Sequence, residues 1–398
     1  MPAVIAMLVV LLAWALLSGR LARGSVTAAI AMVAAGIALS VGSNPVFEID
    51  LDTKTVERAV EVALAIVLFV DATEVPKGIL GPEPRITVRL LAIALPLSLL
   101  LAWLAGFALF PEQDAWVLAV LAVVAVPTDL APAVAIVRDR RVPSRLRSIL
   151  NVEAGLNDGV VAPLFLFCIA GAETPGRGTP VSDALANALP AVLIALGVGA
   201  AVGLAGARLL AGSWARGWTE PAALRFGVLA LPLLCYTASV SLDGNGFVAA
   251  FIAGVFFNSS AHRLPEDALH LVEDVGSLLT LAVWFAFGQL VTAALRIGFD
   301  WEILLYALLA LTVVRIAPVT LALARTGIAR RDVLFIGWLG PRGLASIVFG
   351  LLAFIDLSHP REAAIVVQVM VMVVLASVVL HGLSAGALAA AYGRRSPP

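Results

Sequence analysis

The chain has 398 residues, 61% of them hydrophobic and 13% charged, with a formal net charge of −1. Water-soluble domains are about half apolar and about one quarter charged. That balance excludes a soluble globular enzyme or a nucleic-acid-binding module and defines a polytopic, all-α membrane protein with a mean hydropathy of +1.02.

A helical span needs about 20 apolar residues. Punctuation by Gly, Pro and charge divides the chain into about thirteen: 2–19, 25–43, 57–73, 88–110, 115–137, 147–171, 184–208, 224–241, 245–259, 273–294, 301–324, 332–354 and 362–391. The N-terminal Met1-Pro-Ala-Val-Ile-Ala-Met lacks a basic leader region and reads as a first span rather than a cleaved signal. Cys168 and Cys235 sit in apolar runs, with neither a disulfide framework nor a metal-ligand spacing.

Basic residues mark the cytoplasmic side of a membrane protein. With the N-terminus outside, 19 of the 26 Lys and Arg residues fall in inner connections and 5 in outer ones. Thirteen spans, an external N-terminus and a cytoplasmic C-terminus follow, in a membrane expected to be a bacterial inner membrane. The connections are too short for a nucleotide-binding domain, and no Gly-rich phosphate loop occurs, so no cofactor is expected. Transport driven by ATP would need another subunit.

Two spans carry their own interruptions. Span five contains Val126-Pro-Thr-Asp-Leu-Ala-Pro132, where Pro127 and Pro132 each remove a backbone donor and flank Thr128 and Asp129. Span twelve contains Gly337-Trp-Leu-Gly-Pro-Arg-Gly343. Spans five and twelve are seven apart and cross in opposite directions. Discontinuous helices at matching positions of two inverted repeats point to a transporter's binding site. Here the repeat is inferred from topology, without residue-level similarity between the halves.

Span six holds Asn151-Val-Glu-Ala-Gly-Leu-Asn-Asp158, and ionisable groups at membrane depth mark function by default. The mid-depth acids are Asp129, Glu153 and Asp158, and the mid-depth bases are Arg315 and Arg342. Two arginines neutralise two carboxylates, leaving one that is neutral with either a proton or a monovalent cation. Competition between the two is a basis for exchange if the site alternates between membrane faces. Glu153 and Asn157 share a helix face, whereas Asp158 is turned roughly 140° from Glu153. Asp158 is the candidate carrier, with Asp129 and Thr128 completing an oxygen shell for the cation. Glu153 is expected to pair with Arg342, either as a brace between spans six and twelve or as part of the ion path. Arg315 reads as a structural charge without an assigned partner, and Asp71 as a solvated helix end. His262, His270, His359 and His381 carry no assigned role.

These residues together resemble the sodium/proton exchangers of the cation:proton antiporter-1 family. Thr128-Asp129, Glu153-Ala-Gly-Leu-Asn157-Asp158 and Gly340-Pro-Arg342-Gly343 carry the match, and Asn245–Gly254 and His381–Gly386 support it. The resemblance implies thirteen spans, a homodimer in the bilayer and a moving core of spans four to six and eleven to thirteen. The dimerisation part would be about 1–87 and 184–297, and the core about 88–171 and 301–391. It also implies that Asp158 carries the ion or proton, helped by Thr128, Asp129 and Asn157, with Glu153 pairing Arg342. An Asn at 157, where electrogenic relatives have Asp, implies electroneutral exchange of Na⁺, K⁺ or Li⁺ for H⁺. Two positions depart from the family pattern. Leu130 stands where Pro usually follows the Thr-Asp pair, and Ala154 stands where a Ser hydroxyl would help ligate the cation.

Two other classes compete. A channel-like pathway would use the same charges without obligatory proton coupling, but no selectivity-filter signature occurs. An intramembrane enzyme would need a His-Glu-x-x-His motif or a serine with a histidine base, and neither is found.

Overall fold

The computed structural model describes residues 2–23, 26–41, 54–73, 80–172, 180–261, 263–298 and 300–393. Expectations placed on Lys77, Arg177, His262, Arg394 and Arg395 lie outside them. Among the described residues the chain is all helix, without strands. Each of the thirteen expected segments carries helix among its described residues, with interruptions in spans five, eleven and twelve. Among the described residues, eight stretches are long and apolar enough to cross a membrane, and four shorter apolar helices accompany them.

In chain order, α1 is Pro2–Arg23, α2 Ala28–Ser40 and α3 Lys54–Thr73. Helix α4 (Pro84–Arg89) runs through a π turn at Leu90–Ala94 into α5 (Leu95–Leu109). Pro96 lies at the end of that wide turn, where it withholds a backbone N–H. Span five splits into α6 (Ala115–Ala125) and the short α7 (Val134–Arg138). Then come α8 (Ser144–Ala172), α9 (Val181–Ala215), α10 (Pro221–Val240), α11 (Gly246–Ser260) and α12 (His270–Ile297). Span eleven is α13 (Trp301–Leu311) and α14 (Val313–Ala322), span twelve α15 (Arg330–Trp338) and α16 (Leu344–Asp356), and the last helix is α17 (Pro360–Gly393).

Several helices outrun the expected apolar limits. Helix α9 has 35 residues, about 52 Å at 1.5 Å per residue, against a hydrocarbon core of about 30 Å. Arg208 therefore lies on a helix rather than in a connection. The interruption of span eleven at Thr312 is also new, because nothing in its apolar run marks it.

The helices pack in two groups. Helix α11 lies against α9, α3 and α10, and α12 against α2 and α3; α17 lies against α13, α16 and α6, and α5 against α6, α13 and α14. Small residues let backbones approach in membrane bundles. At the crossing of α2 and α12, a methyl added to Gly36 or to Gly288 would run into the other helix's backbone. Cys168 and Cys235 are buried free thiols.

Candidate functional site

The two interruptions meet. After α6 the chain is non-helical through Pro127 and Thr128, and after α15 it is non-helical from Leu339 to Gly343. Backbone released from a helix must find other partners at membrane depth, and each break supplies them to the other. The Asp129 N–H donates to the Pro341 carbonyl at 2.8 Å. The Asp129 carboxylate accepts the Leu344 N–H at 2.9 Å through Oδ2 and the Ala131 N–H at 2.8 Å through Oδ1. Asp129 thus caps α16, whose N-terminal partial positive charge favours a carboxylate there. Gly343 has to be glycine for this contact, since a Cβ would fall on Asp129 Oδ2.

Arg342, fully buried at 0% exposure, completes the second break. Its N–H donates to Ser377 Oγ at 2.7 Å, its Nη1 to the Gly340 carbonyl at 2.8 Å, and its Nη2 to the Ala310 carbonyl at 3.0 Å. Arg342 therefore solvates carbonyls released at the breaks in spans eleven and twelve. His381 holds the same loop from α17. Its Nε2 lies 2.9 Å from the Trp338 carbonyl, and its Nδ1 lies 3.1 Å from Ser377 Oγ. A neutral imidazole donating from Nε2 and accepting the Ser377 hydroxyl satisfies both contacts.

The expected Glu153–Arg342 pair is not formed. Glu153 is held instead by Arg315, with Nη1 to Oε1 at 2.5 Å and Nη2 to Oε2 at 2.7 Å. Both side chains are buried, at 3% and 4% exposure. A fork-to-fork pair uses both carboxylate oxygens, and Arg342 is committed to backbone carbonyls. The brace consequently joins α8 to α14.

Asp158, Asn157 and Thr128 are buried next to this frame. Asn157 Nδ2 donates to Thr128 Oγ1 at 3.1 Å, which ties α8 to the first break. Asn157 Oδ1 and Asp158 Oδ1 are buried without a hydrogen-bond partner. Orphaned buried acceptors are rare and call for an ion, a proton or water. A cavity of about 230 Å³ opens beside them, with Asp71, Thr128, Asp129, Asn151, Ala154 and Asp158 in its wall. Among the described residues no cluster of three or more His, Cys, Asp or Glu side chains is arranged to hold a metal ion.

Asp71 is the residue whose place the sequence reading missed. It sits at the end of α3 but lines the cavity rather than a solvated helix end. The available signal was Gly155, where a Cβ would stand 3.3 Å from the Asp71 carbonyl, so the helices touch there. Ala154 also reaches the cavity, so the missing hydroxyl is missing from its wall. About two turns along α8 from Asp158, Phe165 stacks on Phe349 with ring centroids 4.7 Å apart.

An all-helical bundle with orphaned carboxylate and amide oxygens between two interrupted helices has the makings of an ion-translocating membrane protein. The chain belongs to the sodium/hydrogen exchanger family, whose transmembrane model matches residues 5–391. It is similar to a Na⁺/H⁺ antiporter of Schizosaccharomyces pombe, 25% identical over 84% of this chain and 77% of the relative. It is also similar to the K⁺/H⁺ antiporter NhaP of Alkalimonas amylolytica, 25% identical over 65% of this chain and 44% of the relative. It thus spans less than half of the second relative's length. Among solved structures, the sodium proton antiporter MjNhaP1 of Methanocaldococcus jannaschii has the same fold, with a TM-score of 0.77 at 18% identity over 98% of this chain and 99% of that one.

Proposed function

We propose that this protein exchanges a monovalent cation, Na⁺ first, for H⁺ by alternating access, one for one and electroneutrally. The carrying observation is Asp158, 6% exposed, with an unpartnered oxygen in the wall of the carboxylate cavity. Glu153 and Arg315 neutralise each other, and the Asp129 carboxylate accepts two backbone N–H groups. Asp158 is left to take either a proton or a cation. In this reading Asp129, Thr128 and Asn157 complete the shell, and Glu153 holds the frame.

With the N-terminus outside, the end of α3, α7 and the first turns of α8 all face the cytoplasm. The cavity takes Asp71, Val134, Val137 and Asn151 from those elements, which supports an inward-facing state. The Phe165–Phe349 stack then blocks the outer route. The two packing groups support a dimerisation part at about 1–87 and 184–297 and a core at about 88–171 and 301–391. The exposed apolar face of α1, including Val4, Leu8, Leu12 and Leu16, suits lipid or a second copy in a homodimer. The membrane is read as a bacterial inner membrane. K⁺ is the second candidate cation, since one relative is named a K⁺/H⁺ antiporter.

Purified protein in proteoliposomes tests the reading. Adding Na⁺, K⁺ or Li⁺ should dissipate an imposed pH gradient, at a rate indifferent to membrane potential. No response to any alkali cation defeats the exchange reading; a potential-dependent rate defeats electroneutrality.

A further inference from the structure

A second recess, of about 650 Å³, lies between the C-terminal turns of α9 and α11. Arg208, Arg216 and Arg263 line it with the hydroxyls of Ser259 and Ser260, and no acidic side chain does. Elsewhere in the molecule Arg141, Arg145, Arg225 and Arg315 each face a carboxylate. Among the described residues Arg208 and Arg263 form neither an ion pair nor a hydrogen bond. Arg216 is turned back, donating to the Gly212 carbonyl at 2.9 Å and lying 5.2 Å from the Trp218 ring centroid. Three guanidiniums on one recess without a counter-charge call for an anion with several acceptor oxygens, the chemistry of a phosphate group.

The surroundings indicate which phosphate. The apolar stretch of α9 is only 17% buried, and Leu209, beside Arg208, is 72% exposed. Trp218, 76% exposed, supplies the amphipathic ring that favours the level where a helix leaves hydrocarbon for headgroups. A free anion would engage the guanidiniums and leave the apolar flank unused, whereas a lipid engages both. We propose that this recess binds the phosphate headgroup of an anionic glycerophospholipid, with its acyl chains along the lipid-facing side of α9. Under the N-out topology the recess faces the cytoplasmic leaflet, whose anionic lipids attract basic clusters.

The test uses the full chain in a neutral detergent, titrated with phosphatidylglycerol, phosphatidylcholine or inorganic phosphate. Retained lipid is read by native mass spectrometry and stability by the thermal midpoint. Phosphatidylglycerol should be retained and raise the midpoint, while phosphatidylcholine and inorganic phosphate should not. Arg208→Ala and Arg263→Ala should each weaken phosphatidylglycerol retention about fivefold. Arg140→Ala, at an exposed arginine outside the recess, should leave it unchanged. Equal retention by the double alanine variant overturns the proposal, as does an equal midpoint shift with inorganic phosphate. Should the double alanine variant fail to fold, Arg208→Lys/Arg263→Lys against Arg208→Gln/Arg263→Gln reads the same contrast. Retention by the lysine pair alone supports the site, and equal retention by both pairs overturns it.

Discussion

Glu153 on α8 and Arg315 on α14 form a two-pronged, buried ion pair that brings together residues 162 positions apart in the chain. Removing one member of such a pair strands the other charge, which costs about 3–5 kcal/mol, whereas replacing both with apolar side chains of similar volume is often neutral. Arg315→Met and Glu153→Leu should each lower the thermal midpoint sharply, and the double variant should recover most of the loss. Arg342→Met should show no such rescue by Glu153→Leu. Additive losses in the first cycle would mean that Glu153 and Arg315 are not coupled.

Asp158→Asn should abolish cation-dependent proton flux while leaving the purified protein monodisperse and its thermal midpoint within a few degrees of wild type. The substitution keeps shape and removes only the titrating, charge-bearing oxygen. Full exchange by this variant would move the carrier to another residue.

Gly343 and Asp129 should be energetically coupled. Gly343→Ala drives a methyl into Asp129 Oδ2, which displaces the cap on α16. A hydrogen bond to a charged group contributes about 1.5–3 kcal/mol, so a loss of that size is expected in unfolding measurements. In the Asp129→Gly background, which removes every atom the new methyl would strike, Gly343→Ala should cost clearly less. An unchanged cost in both backgrounds would separate the glycine from the cap.

Ala154→Ser adds a hydroxyl to the cavity wall. If the cation rests against Asp158 there, one extra neutral oxygen should lower the half-saturating cation concentration by about threefold, the scale of a single modest polar contact. The check is exchange rate against Na⁺ concentration. An unaltered value would mean that the transported ion does not reach residue 154.

Much of this architecture is legible in the sequence because the membrane simplifies the problem. Apolar run length gives the spans, and Pro127, Pro132 and the Gly340–Gly343 cluster announce the two breaks. A charge in an apolar run announces Asp158. What the linear pattern leaves open is which buried charges meet. Three acids against two arginines leave one acid over whichever arginine takes Glu153, so the arithmetic could not separate Arg315 from Arg342. The choice falls to the backbone: carbonyls released near Thr312 and Gly340 occupy Arg342, a demand invisible without knowing that span eleven is also interrupted. Asp71 was misjudged for a related reason. The end of an apolar run looks like the end of a helix in water, and only the contact of α3 with α8 at Gly155 turns it toward the cavity. His381 gained its place, against Trp338 and Ser377, in the same way.

The clasp formed by Asp129 has one more consequence. It donates a backbone N–H to one side of the span-twelve break and accepts another from the opposite side, so neither interruption can straighten or slide without tearing its counterpart. The crossing point is a rivet rather than a hinge. In the alternating-access exchange proposed above, the bending falls outside this crossing, and the rivet travels intact.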